Sequence, residues 1–313
     1  MNLRIKRRRF GQLAIASAAT AAITNLAGKV AAQSSPETLY SASVSSTSVV
    51  SNTNTTPPIT VKSSNVTSGQ QLTNFAVPST TVSTPNTPVE TTPKATSTQP
   101  NTRLTGLTSL SNGTLAKTTV SSSKNGDVTQ LIFTDPTTSK TVNTLKVSGF
   151  PNNNSTVESL LAPKNTNNLI AIISLNQGIP PFDLGAIDPT TGKITTSSSA
   201  GLPTLNSSQR YSNLTQASDG TIYATNLGRE GTTYLVRVDL ANRSVTRVVQ
   251  LSYNNKPLNS DLLSLAVSSS GQLYALANPN HESTNSLFIV DIKSGVLSFV
   301  RQLDAQQITF SHS

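Results

Sequence analysis

A chain of 313 residues with 23 Lys and Arg against 14 Asp and Glu, a net charge of +9, invites a nucleic-acid reading. Six of the positive charges, Arg4, Lys6, Arg7, Arg8, Arg9 and Lys29, fall within residues 1–32 with no acid among them, and the remaining 17 basic and 14 acidic residues are scattered, so no phosphate-binding surface and no nucleic-acid partner are expected. The absence of cysteine excludes disulfides, thiolate metal ligands and a cysteine nucleophile.

Residues 1–32 have the parts of an export signal: the basic start, the Ala-rich stretch from Leu13 to Gly28, and small residues Val30 and Ala32 ahead of Gln33. Within it "RRRF", Arg7 to Phe10, resembles the twin-arginine export signal, with Lys6, Gly11 and Gln12 departing from the usual pattern. The resemblance implies a protein delivered folded to the periplasm or the extracellular space, meeting the membrane only during export. No later segment is long and apolar enough to span a bilayer.

Residues 33–100 hold 30 Ser or Thr and 8 Pro, with Tyr40 and Phe75 as their only aromatics. Such a composition buries too little apolar surface to offset the entropy of ordering it, so a disordered, extended linker is expected. The piece from Gly69 to Val77 is more strand-like.

From residue 101 onwards short apolar runs alternate with Gly, Asn and Asp turns. "LIFTDPTTSK", "LGAIDPTTGK", "LVRVDLANRS" and "LFIVDIKSGV" place Asp135, Asp188, Asp239 and Asp291 at intervals of 53, 51 and 52 residues. A second turn keeps the same period at Asn112-Gly113, Asn167-Asn168, Asp219-Gly220 and Ser270-Gly271, each followed two positions later by an apolar residue. Asn-Gly and Asp-Gly supply the positive backbone angles of tight hairpin turns. Each repeat therefore reads as four antiparallel strands, at 262–268, 272–278, 286–290 and 296–302 in the last copy.

A unit of about 52 residues with two apolar faces covers neither alone, so copies must stack around a common axis. The chain is read as all-β, a β-propeller of four blades (101–150, 151–203, 204–254 and 255–303) with 304–313 as a C-terminal closing strand. The repeats resemble bacterial propellers with D-x-x-T-G turns, including YVTN-type and quinoprotein-like repeats; the chain has no Trp, which argues against a quinone cofactor. Residues 308–311 look like an unpaired first strand, and a fifth blade follows if Gly69–Val82 supplies its second and third strands.

Alternating strands put the tight repeated turns at one end of every blade and the variable loops at the other, where binding is expected. Candidate binding residues there are Phe182, Tyr211, Arg229, Glu230, Tyr253, His281 and Glu282. Arg103, Glu158, Arg210 and Asp261 stand ten positions before Gly113, Asn168, Gly220 and Gly271, so charge alternates around the channel mouth. Structurally this implies ion pairs between blades, Arg103 with Glu158 and Arg210 with Asp261; functionally it implies a polar funnel. No G-x-S-x-G, H-E-x-x-H, Walker or calcium-loop pattern is present, and His281 and His312 are the only histidines. The expectation is a monomeric binding module for an envelope or extracellular protein or glycan, with no catalytic residue, metal site or cofactor. The alternative is a hydrolase or lyase using Glu158, Asp261 or Glu282, with calcium as an optional ion.

Overall fold

The computed structural model describes residues 37–44, 58–66, 68–77, 101–123, 126–164, 166–196 and 201–311, and all their regular structure is β. The export signal and His312 lie outside them. Three strands come first, β1 (Thr38–Val44), β2 (Ile59–Asn65) and β3 (Gln71–Val77). The first repeat folds as β4 (Asn101–Ser109), β5 (Leu115–Ser123), β6 (Gly126–Asp135) and β7 (Lys140–Lys146). The second gives β8 (Thr156–Leu161), β9 (Leu169–Asn176), β10 (Ile179–Ile187) and β11 (Ile194–Thr196). The third gives β12 (Arg210–Gln216), β13 (Ile222–Leu227), β14 (Thr233–Asp239) and β15 (Ser244–Gln250), followed by a small hairpin, β16 (Ser252–Tyr253) and β17 (Lys256–Pro257). The fourth gives β18 (Ser264–Val267), β19 (Leu273–Ala277), β20 (Ser286–Val290) and β21 (Leu297–Gln302), and β22 (Gln307–Phe310) ends the series.

Each repeat is one antiparallel four-stranded sheet in chain order, and a fifth sheet has the order β22-β1-β2-β3. The innermost strands touch in a closed cycle, β4 to β8 to β12 to β18 to β22 and back to β4. The protein is thus a five-bladed β-propeller whose closing blade joins the C-terminal strand to three strands from residues 38–77.

This corrects the linker reading over part of its length. Residues 38–44, 59–65 and 71–77 are strands, so the propeller takes in part of the span expected to be disordered; residues 45–57 and 78–100 lie outside the described residues. The fifth blade expected from Ile308 exists, but its second and third strands are β1 and β2, and Gln71–Val77 is the outermost. Average composition hides these strands because six of the fourteen positions of β1 and β2 are Ser or Thr. Flanked by paired strands, such residues bond laterally, as in the Ser63–Thr73 hydroxyl contact at 2.6 Å, while Leu39, Ala42, Ile59 and Val61 carry the packing.

The core is five separate clusters, one in each gap between blades. Ala116, Leu131 and Phe133 of the first blade meet Val157, Ala171 and Ile187 of the second. Ile172 and Leu184 meet Leu214, Ala224 and Val236 of the third, and Leu235 meets Leu265 and Phe288 of the fourth. The closing blade is covered on both faces, Leu39 and Ile308 against Tyr274 and Leu276, and Ala42 and Val61 against Leu104 and Leu115. Burying both faces of every sheet is what a ring achieves and a single blade cannot.

The repeated aspartate turn holds the joints between blades. Asp188 Oδ1 accepts the Thr190 N–H at 2.8 Å and the Thr190 hydroxyl at 2.7 Å, and Gly192 N–H donates to Asp188 O at 2.8 Å. The position four beyond each aspartate has positive φ in every copy: Ser139 (62°), Gly192 (71°), Arg243 (52°) and Gly295 (74°). Glycine occurs where the preceding blade lays its outgoing backbone against the turn. Ser148 N–H donates to Gly192 O at 3.1 Å and Ser252 N–H to Gly295 O at 2.9 Å. A Cβ on Gly295 would lie 2.0 Å from Gln250 O. Where Arg243 replaces glycine, its guanidinium instead reaches back to Asp183 and donates to Leu184 O at 3.1 Å, joining the third blade to the second.

Gly295→Ala is therefore expected to cost about 3 kcal/mol or more, a left-handed residue plus overlap with a backbone carbonyl. Gly113→Ala, at φ 81° with nothing within 4 Å of the added carbon, isolates the conformational part and should cost only about 1–2 kcal/mol. Urea titration of both variants checks this, and equal losses would refute the docking role of Gly295.

Candidate functional site

The four charges at the channel mouth form two ion pairs, as the structural reading expects. Arg103 grips Glu158 with both terminal nitrogens at 2.6 Å, and Thr156 donates to Glu158 Oε1 at 2.5 Å. Arg210 Nε lies 2.5 Å from Asp261 Oδ2. The inner strands are irregular close to these charges: Thr105 is the extra residue of β4, Glu158 itself that of β8, and β12 is irregular between Ser212 and Thr215. Arg103 reaches from the first blade to the second and Arg210 from the third to the fourth, which engages both carboxylates within the ring. The Asp261 carboxyl is pushed above its ordinary pKa by burial, against the opposing pull of Arg210, and its Oδ1 is buried without a hydrogen-bond partner among the described residues.

Phe182 and Tyr211 are core residues and not ligand-facing loop residues. They pack edge to face, with ring centroids 6.1 Å apart, between the second and third blades. Their places next to predicted loops misled the reading, since each is an inward-pointing strand position. Glu282 builds its own loop: its N–H donates to Asn278 Oδ1 at 2.7 Å, and its carboxylate accepts from Asn280 and Gln302 at 3.2 and 3.1 Å.

The remaining candidates line two clefts at the loop end of the third and fourth blades. Arg229 and Glu230 lie with Gln209, Tyr234 and Arg247 around a cleft of about 250 Å³. Tyr253 and His281 lie with Lys256, Asn254, Asn259 and Asn280 around one of about 290 Å³. Tyr253 is braced edge to face on buried Phe288 at 5.1 Å, and Asn254, Asn255 and His281 all have positive φ, so the rim of the second cleft consists of tight turns. The sequence reading missed Arg247, Tyr234 and Lys256. The first two sit on strands, and Lys256 on a hairpin read as plain loop, although "YNNKP" carries a hairpin turn signal in its paired asparagines.

The opposite end also has hollows. A cleft of about 360 Å³ lies between the turns of the first and second blades, lined by Asn112, Lys164, Asn167 and Pro189 among others, and the channel mouth there holds about 70 Å³ bordered by Thr108, Gln216, Ser268 and Thr309. The turn aspartates at that end are held below ordinary carboxylate pKa values by hydrogen bonds. Asp135 is pushed down to about 2, first by the Thr137 hydroxyl, then by the Thr138 hydroxyl and the Thr137 N–H. Among the described residues no group of three or more His, Asp or Glu is placed to hold a metal ion, and no helix is long and apolar enough to cross a membrane.

No family model and no curated protein matches the chain. Solved structures similar to it include TolB from Acinetobacter baumannii, 14% identical with a TM-score of 0.46 over 86% of this chain and 54% of that one. The periplasmic gluconolactonase PpgL of Pseudomonas aeruginosa is 12% identical, with a TM-score of 0.45 over 88% of this chain and 85% of that one. A protein of unknown function from Bacteroides caccae is 12% identical, with a TM-score of 0.45 over 89% and 100%. The chain spans about half the length of TolB and of the Dos1 propeller, 54% and 53%. The likeness is one of fold, and the propeller itself is established by the chain's own ring of five sheets.

Proposed function

We propose that the protein is an exported β-propeller binding module that holds an envelope or extracellular component against its loop end. The observation that carries this reading is the division of labour among its polar residues. Arg103, Glu158, Arg210 and Asp261 are spent on ion pairs within the ring, whereas Arg229, Arg247, Lys256, Asn254 and Asn280 line clefts at the loop end of the rigid blades. The tight-turn end has a larger hollow, but its lining is turn residues with Lys164 as the one charged side chain and no aromatic ring. Export by the twin-arginine route, from the basic N-terminal segment with its "RRRF", delivers the folded ring to the periplasm or beyond. The ring closes within one chain, and the module is proposed to act as a monomer without a cofactor.

The test blocks each end in turn. Asn259→Trp fills the ridge between the two loop clefts, and Asn167→Trp fills the tight-turn cleft; both residues are exposed. Retention of envelope components on immobilised protein is expected to fall at least tenfold for Asn259→Trp and to be unchanged for Asn167→Trp. Loss with Asn167→Trp alone, or with neither, would overturn the reading.

A further inference from the structure

The two loop clefts are adjacent halves of one surface. The segment Leu258–Ser260 separates them and is fixed to the start of β14: Thr233 N–H donates to Leu258 O at 2.9 Å, the Thr233 hydroxyl to Ser260 O at 2.6 Å, and the Thr232 hydroxyl to Asn259 Oδ1 at 3.4 Å. Thr232 and Asn259 stand on this ridge, Thr232 lining one cleft and Asn259 the other. A ligand long enough to cross the ridge meets both.

Their chemistry is complementary and net positive. The first cleft carries Arg229 and Arg247 against Glu230, and the second carries Lys256 with no carboxylate in its lining. Three cations against one anion exceed the single charged side chain, Lys164, that lines either hollow at the tight-turn end. Arg247 is held by its own strand neighbour, its guanidinium lying over the Tyr234 ring at 4.2 Å, which orients its planar donors and lowers the entropy of fixing them on a ligand. The second cleft adds the amides of Asn254, Asn259 and Asn280, of which Asn259 keeps its NH2 and Asn280 its carbonyl oxygen beyond their bonds to Thr232 and Glu282, and the Tyr253 ring. Paired donors and acceptors with one aromatic face suit vicinal hydroxyls, whereas neither cleft has the deep apolar pocket that an anchoring peptide side chain requires.

We propose that the paired clefts bind an acidic oligosaccharide, with a sugar carboxylate on Arg229 and Arg247 and the neighbouring residue of the glycan across the ridge against Tyr253 and the asparagines. This rests on the loop-end reading above and names its ligand class.

The probes are a uronic-acid tetrasaccharide, its carboxyl-reduced neutral counterpart and a tetraglutamate peptide, measured by calorimetry against the full-length protein. The tetrauronate should bind at least tenfold more tightly than either comparator, and its affinity should fall as salt is raised. Arg247→Ala should weaken it at least tenfold and Tyr253→Ala severalfold, while Glu230→Gln should strengthen it about twofold; circular dichroism checks that each variant is folded. Arg229→Ala, on an exposed loop, stands in if Arg247→Ala does not fold. Equal affinity for charged and neutral sugars, peptide binding as tight as the tetrauronate, or indifference to both arginine substitutions would overturn the assignment. If Asn259→Trp abolishes envelope retention while the tetrauronate does not bind, the glycan assignment falls and the loop-end reading stands; if Asn259→Trp leaves retention intact, the loop-end reading falls.

Discussion

A chain beginning at Asn101 is expected to lose its cooperative melt, whereas one beginning at Glu37 should melt as the full-length protein does. The shorter chain keeps all four repeats and β22 but lacks β1, β2 and β3, so β22 has no sheet to join. It forfeits the burial of Leu39, Ala42, Ile59, Val61, Val66 and Phe75, and uncovers Tyr274 and Leu276 on one neighbour and Leu104, Leu107 and Leu115 on the other. At roughly 1.5–3 kcal/mol for each large side chain the loss is on the order of 10 kcal/mol, comparable to the whole stability of an ordinary domain. Supplying residues 37–77 as a separate peptide should restore the melt in part, since β1 pairs through its backbone along the full length of β22 and β2 and β3 continue the sheet from it. A chain from Asn101 that melted cooperatively at the full-length midpoint would show that four repeats suffice and that closure by the N-terminal strands is incidental.

The repeats were legible because turns leave chemical marks that strands do not. Asp at the turn start and Gly or another positive-φ residue four places on recur on a fixed period, and the strands placed between them at 286–290 and 296–302 agree with β20 and β21 to within one residue. The closing blade was legible at its two edges, from the strand expected at 308–311 and from the strand-like Gly69–Val77, but not at β1 and β2 between them. "TLYSASV" and "ITVKSSN" are diluted by the Ser and Thr around them, and no turn marker on the repeat's period precedes them. The candidate site divided in the same way. Ion pairing between Arg103 and Glu158 and between Arg210 and Asp261 followed from opposite charge at matched positions, which needs no knowledge of side-chain direction. Separating Phe182 and Tyr211, which point into the core, from Tyr253, which borders a cleft, required knowing the face of each strand and the bulges that reset it.

One residue contradicts the pattern of a propeller strand outright, and replacing it should stabilise the protein. Lys117 lies in β5, paired laterally with Leu107 and Ile132, on the face turned toward the closing blade beside Leu115. It is 0% exposed, and among the described residues its ammonium nitrogen has no hydrogen-bond partner; the nearby hydroxyls of Thr119 and Thr134 are buried and likewise unpartnered there. Burial alone lowers its pKa to about 7, with no neighbouring charge to oppose the shift. An unfolded lysine titrates near 10.4, so between about pH 7 and 10.4 the unfolded chain binds the extra proton and stability rises with pH. Below about pH 7 both states are protonated and the full cost of the buried charge is in force. Lys117→Met keeps the length and apolar stem of the side chain and removes the titration. The variant should be more stable than the parent by on the order of 4 kcal/mol at pH 6, with a melting midpoint raised on the order of 10 °C. That advantage should shrink steadily from pH 7 and be small by pH 10. A difference that stayed level across this range, or a variant less stable than the parent at pH 6, would mean that the amine is neither unpaired nor dehydrated in the folded ring.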